Sequence, residues 1–113
     1  MPLSSPHEIV DRQLAAYNAR DIEAYCALFA PEAVLSRVND GVTMARGIDA
    51  IRAHYTARFA SPTLHCRILA RMESGRFVID HEQVAGIMDS LLEVIAIYEV
   101  RDLLIHSVRI ISP

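Results

Sequence analysis

The sequence predicts a single α+β domain, a cone in which a curved antiparallel or mixed sheet wraps around three N-terminal helices. Three observations carry this. Apolar residues recur at helical spacing through the first half of the chain, the period changes to two from residue 63 onward, and strands do not alternate with crossover helices. The 113 residues suit one domain over 1–113, and 52% hydrophobic residues are enough for a core and too many for a disordered chain.

Ser5-Pro6-His7-Glu8 opens the first helix. Ser5 caps it, Pro6 fits the first turn, and Glu8 reaches back to complete a capping box. Val10, Leu14 and Tyr17 then follow helical spacing, and Gln13 shares an edge with Tyr17 four residues on. The pattern breaks after Asn18, and Asp21 caps a second helix with Ile22, Cys26 and Phe29 as its inward stripe. Pro31 ends that helix, because proline lacks the N–H and clashes with the preceding turn. A strand over 33–38, a tight turn at Asn39-Asp40-Gly41 and a return strand to about residue 46 come next.

Gly47 opens the third helix, whose inward residues are Ile48, Ile51, Tyr55 and Phe59, and Ser61-Pro62 stops it. Four long strands over 63–72, 76–85, 91–101 and 104–112 complete the chain, with turns at Ser74-Gly75 and Asp102-Leu103. Strands of this length twist strongly. Three helices cover one face of such a sheet, and the wrapped sheet leaves a mouth and a pocket.

Composition narrows the function classes. A net charge of −3 and a pI near 5.9, with no basic run and no glycine-rich phosphate loop, speak against a nucleic-acid partner. The opening MPLSSPHEIV has neither a basic region nor an apolar run, so no signal peptide is expected. The apolar stretch over 91–111 is broken by Glu93, Glu99, Arg101, Asp102 and Arg109 and cannot span a bilayer. A soluble cytoplasmic protein is the expectation. The five histidines show no HxH or HxxxH spacing, and HExxH, CxxC and GxSxG are missing, so neither a metal, a cofactor nor a nucleophilic triad is expected. Cys26 and Cys66 lie on apolar faces and read as core.

Residues 9–35, IVDRQLAAYNARDIEAYCALFAPEAVL, followed by ARGIDAIRAHY at 45–55 and YEVRDLLIHSVRII at 98–111, resemble the nuclear transport factor 2-like superfamily, in its SnoaL-like and ketosteroid-isomerase-like branches. The shared patterns are Asn18-x-x-Asp21, the Leu28-Phe29-Ala30-x-x-Ala33 segment and the glycine-led Gly47-x-x-Ala50-Ile51-Arg52 helix. The resemblance covers nearly the whole chain. It implies the cone fold, a small-molecule pocket and pairing of two copies through the sheet. It leaves function open, because this fold hosts isomerases, cyclases, hydrolases and non-catalytic domains. Ketosteroid isomerases use an aspartate base with a tyrosine and a protonated aspartate as oxyanion donors. In an ungapped match of the first 40 residues the base falls on Arg37 and the tyrosine on Gln13, and the second aspartate falls near Ala96. Arginine stays protonated near neutral pH, so the steroid isomerase mechanism is not expected.

The stretch VIDHEQV, 78–84, concentrates the titratable groups. Alternation places Val78, Asp80, Glu82 and Val84 on one side, and Phe77, Ile79, His81 and Gln83 on the other. With Ser74-Gly75 as a two-residue loop, Glu73 pairs with Arg76, Arg67 lies opposite Glu82, and Arg71 is diagonal to Asp80. That register sends Asp80 and Glu82 to an outer face with arginines, and His81 toward the helices among apolar neighbours. A slip of one residue reverses the assignment.

His81 is therefore the candidate acid–base residue, against the alternative of a core histidine satisfied by a hydrogen bond. His54 is a candidate ligand contact or partner of His81, against a residue at the rim. Arg37 could hold an anionic oxygen or pair with Asp40 or Glu32, the latter being favoured. Gln13, Tyr17, Tyr55 and Tyr98 are expected to line the pocket. The strand at 91–101 is apolar on both sides, which predicts cover on both faces: helices on one, a second copy of the chain on the other. The expected function is proton transfer on a small apolar carbonyl compound in the pocket. The alternatives are a non-catalytic carrier and a dimeric assembly domain.

Overall fold

The first helix starts where its capping residues dictate. In the computed structural model, which describes residues 5–112, the Ser5 N–H donates to Glu8 Oε1 at 3.2 Å and the Ser5 hydroxyl to the same oxygen at 3.0 Å. The reading of residues 1–4 as free of a signal sequence lies outside the described residues. Helix α1 (Pro6–Ala19) ends at Arg20, whose φ of 54° is left-handed. Asp21 Oδ1 then accepts from the Ala24 N–H at 3.1 Å and starts α2 (Ile22–Cys26). Asn18 exchanges two hydrogen bonds with the Cys66 backbone, donating to its carbonyl at 3.0 Å and accepting from its N–H at 2.8 Å. The Asn-x-x-Asp pattern thus ties the end of one helix to a strand and caps the next.

The second helix is shorter than its apolar stripe predicts. It stops at Cys26, and Phe29 begins strand β1 (Phe29–Arg37) instead of closing the helix. Pro31 lies inside this strand, exposed, where the pairing register shifts between Phe29 and Val34. A proline is tolerated there because the interrupted ladder does not need its N–H. Strand β2 (Thr43–Arg46), helix α3 (Ile48–Phe59) and strands β3 (His65–Ser74), β4 (Phe77–Ala85), β5 (Leu92–Arg101) and β6 (Leu104–Ile111) follow.

The six strands lie in the order β2-β1-β6-β5-β4-β3. Neighbours are antiparallel except β1 and β6, which run parallel, so the sheet is mixed. The helices cover one face, and the predicted α+β cone is the observed architecture. Ile9, Val10, Tyr25, Ile51, Leu64 and Ile105 form the driest part of the core between helices and sheet. Among the described residues no helix is long and apolar enough to cross a membrane.

The facing of β4 is the reverse of the expectation. The hairpin loop is Gly75-Arg76, with Ser74 opposite Phe77, one residue later than the predicted Ser74-Gly75. The register also shifts between Ile68 and Ala70, leaving Leu69 as a β-bulge. Cys66 and Ile68 therefore share the side of Val84 and Glu82. Past the bulge it is Arg71 that faces with Asp80, while Ala70 and Met72 sit with His81 and Ile79. Arg67 is exposed and opposite Gln83, not Glu82.

Asp80 is 0% exposed and Glu82 7%, so both face the helices. The His81 side chain is 44% exposed on the convex face, and its Nε2 meets Glu93 Oε1 at 2.8 Å. Asp80 tolerates full burial because Arg71 grips it in a fork, with Nε to Oδ1 at 2.6 Å and Nη2 to Oδ2 at 2.9 Å. The third arm of Arg71 reaches Asp11 Oδ1 at 2.6 Å and ties this pair to α1.

Candidate functional site

A cavity of about 210 Å³ lies between the helices and the concave face of the sheet. Cavities of about 150 Å³ hold benzene, and pockets for drug-sized molecules begin near roughly 300 Å³. This one suits a single ring with a short chain. Its wall contains Gln13 and Tyr17 from α1, Arg37 from β1, His54 and Tyr55 from α3, and Tyr98 from β5. The sheet curvature and the inward stripes of two helices bring these six together. His81 is not among the lining residues, and the anticipated pairing of His54 with His81 is ruled out by their opposite faces.

Three further groups belong to the cavity: Glu82, Cys66 and Arg58. Glu82 is the most unusual. The Tyr98 hydroxyl donates to its Oε2 at 3.0 Å, and the Cys66 thiol lies beside it on the cavity wall. Burial pushes the Glu82 carboxyl up to about 7. The Tyr98 bond opposes that rise, the nearby Asp80 charge adds to it, and the neighbouring Cys66 thiol opposes it. The Cys66 thiol is itself pushed up, by burial first and then by the Glu82 charge, so it stays protonated and is a poor nucleophile.

A second polar chain runs along the helices. Gln13 Nε2 donates to the Tyr25 hydroxyl at 3.2 Å, and burial pushes the phenols of both Tyr25 and its neighbour Tyr55 up. The Tyr25 and Tyr55 rings pack at 4.6 Å between centroids. Tyr55 stands beside Tyr25 on the cavity wall.

The rim is partly exposed and carries basic groups. Arg37 is engaged by Asp40, Nη2 to Oδ2 at 2.7 Å, so of its two readings the geometry gives the ion pair. His54 packs edge-on against Tyr55 at 4.9 Å. Burial, then the Arg58 charge, hold its imidazole below the ordinary range. Burial pushes the Tyr17 phenol up, and the nearby Arg58 charge opposes that rise. Among the described residues, no three His, Cys, Asp or Glu side chains gather where they could hold a metal ion.

What this arrangement can do is exchange a proton with a small ligand. A carboxyl pushed up toward neutrality in a cavity wall is available in both forms at the same pH. The signal that would have found Glu82 lies in its neighbour strand. Leu92, Val94, Ala96 and Tyr98 run opposite Val84, Glu82, Asp80 and Val78, whereas the other side of β5 presents Glu93 and Glu99. The charged side of a central strand marks the outer face.

A family model described as the SnoaL-like domain matches residues 10–108. No curated protein matches the chain. Among solved structures, a cystatin-fold protein of Novosphingobium aromaticivorans superposes with a TM-score of 0.88 at 23% identity, covering 96% of this chain and 98% of that one. A protein of Catenulispora acidiphila with a ketosteroid isomerase-like fold, in complex with trimethylamine, gives 0.78 at 20% identity over 95% and 85%. A nuclear transport factor 2-like protein of Cytophaga hutchinsonii gives 0.84 at 10% identity over 100% and 95%. At these identities the likeness carries the fold alone.

Proposed function

The chain belongs to the SnoaL-like domain family, and from that premise we propose that its cavity binds a small apolar carbonyl compound and moves a proton on it, with Glu82 as the acid–base group. The observation that carries this reading is the Glu82 carboxyl, buried in the cavity wall and pushed up to about 7. His81, the candidate favoured by alternation alone, is replaced in this role because it faces the other side of the sheet. Glu82 as carboxylate takes a proton from the carbon next to the carbonyl and returns it to the same skeleton. Tyr98 fixes the carboxyl's orientation, and the Tyr55 hydroxyl supplies a donor for the developing enolate oxygen. The fit of one ring in about 210 Å³ supports a ligand smaller than a steroid.

Deuterium exchange into phenylacetone, followed by NMR between about pH 5 and 9, tests this. Exchange above the buffer rate, rising with a midpoint near 7 and lost in Glu82→Gln, is the expected result. A second reading, a non-catalytic carrier, is favoured by the occupation of the three isomerase positions by Gln13, Arg37 and Ala96. Binding of the ketone with no exchange at any pH would select the carrier, and no binding at millimolar ketone would sink both readings.

We also propose that two copies pair through the convex face. Ile79, Ile95 and Ile97 form its centre, with Met72 63% and Phe77 37% exposed beside them. Native mass spectrometry reports the oligomer and any co-purified molecule together. A monomer at micromolar concentration would overturn the pairing, and with it the reading of the chain as a dimeric assembly domain.

A further inference from the structure

Resting on the proton-transfer reading of the cavity, we infer that its ligand is an acid: a molecule whose apolar body fills the cavity and whose carboxylate is held at the rim by Arg58. Three features of the wall lead there. Glu82 is the lone acidic side chain among the lining residues, and it lies at the buried floor. The rim residues that carry or can carry positive charge are Arg37, His54 and Arg58, with no carboxylate among the rim's own lining groups. Of these, Arg37 is already forked onto Asp40.

Arg58 differs from Arg37 in what it holds. Among the described residues no carboxylate lies within ion-pairing distance of it. Its charge lies close enough to the Tyr17 phenol to oppose the rise that burial gives it, and a guanidinium has five N–H donors in a rigid fork that matches a carboxylate. Its position in the last turn of α3 favours a cation through the helix dipole, but that requirement does not direct the side chain to the cavity wall. Half-buried His54, its imidazole held below the ordinary range by burial and by the Arg58 charge, adds a hydrogen-bonding group beside the same rim.

The geometry also separates the two ends of the ligand. A carboxylate beside Glu82 would meet a like charge whenever that group is ionised, whereas at Arg58 it meets a rim cation that none of the described carboxylates engages. A small 2-oxo acid or aryl-substituted acid seated this way presents its central carbons to Glu82 and its carbonyl oxygen to Tyr55.

Phenylpyruvate and phenylacetone share a ring and an enolisable carbonyl and differ by the carboxylate. Their dissociation constants, read by tyrosine fluorescence or NMR on the full chain, test the inference. Phenylpyruvate is expected to bind at least about tenfold more tightly. Arg58→Met should erase that preference, bringing phenylpyruvate affinity down to that of phenylacetone, and Arg37→Met should leave the preference intact. Equal affinities in the unaltered protein would overturn the inference without any variant. So would a preference that survives Arg58→Met, or one lost instead with Arg37→Met. If the preference follows Arg58 but neither compound exchanges deuterium, the acid-binding site stands and the proton-transfer reading falls.

Discussion

The Tyr98 hydroxyl donates to Glu82 Oε2 across 3.0 Å inside the cavity wall, joining a phenol 3% exposed to a carboxyl 7% exposed. A bond to the charged form lowers a carboxyl's affinity for its proton, yet burial wins here and holds Glu82 near 7. Carbon-13 NMR of the labelled glutamate carboxyl should show a midpoint near that value. Tyr98→Phe removes a donor that favours the ionised form, so the midpoint should move further up. A downward move would show that the bond does not restrain the carboxyl.

Burial of this acid makes stability depend on pH. Its value rises from an ordinary 4.5 to about 7 on folding. Between those values the folded chain keeps a proton that the unfolded chain has released, so stability falls as pH rises through the window. The full effect is on the order of 3 kcal/mol. Glu82→Gln removes it, and urea unfolding should find the variant more stable than the parent at pH 8, with the difference shrinking toward pH 4. An identical difference at both pH values would contradict the assignment.

Arg71 and Asp80 form the buried pair on which the sheet's inner face depends. Arg71→Met strands a fully buried carboxylate and should cost about 3–5 kcal/mol in denaturant unfolding. Adding Asp80→Asn to that variant should recover a large part of the loss, because the uncompensated charge is then gone. No recovery would place the damage in packing.

Gly86, directly after β4, has a φ of 92°, and a Cβ there would lie 2.5 Å from the Leu64 backbone nitrogen. Its carbonyl accepts from the Ser61 hydroxyl at 2.8 Å, so the contact closes the loop after α3 onto the end of β4. Gly86→Ala should destabilise by about 2 kcal/mol or more, since both the backbone conformation and the space oppose the methyl. A neutral result would mean that this loop shifts freely.

His81 supplies the contrasting case. Its partner Glu93 is as exposed as itself, and the pair lies outside the cavity. His81→Ala should change stability by less than about 0.5 kcal/mol and leave the affinity for either probe and the pH profile of exchange untouched. Loss of exchange in this variant would restore the histidine as the acid–base residue.

The order of elements, the α+β class and most of the cavity wall were legible in the residues, because they rest on local periods and caps. Gln13, Tyr17 and Tyr55 fall on helical stripes that can point only inward once Val10 and Ile51 are buried. The end of α2 was misplaced because Phe29 continues a helical stripe that tertiary pairing with Ile105 converts into a strand. The inward facing expected of His81 fails because a period of two says which residues share a face, never which face is buried. One residue of hairpin position at Gly75-Arg76 and one bulge at Leu69 settle that. By itself the sequence determined that Asp80 and Glu82 stand together and opposite His81. Only the packing of β4 between β3 and β5, with Arg71 available to neutralise Asp80, decided that the carboxylates go in and the imidazole goes out.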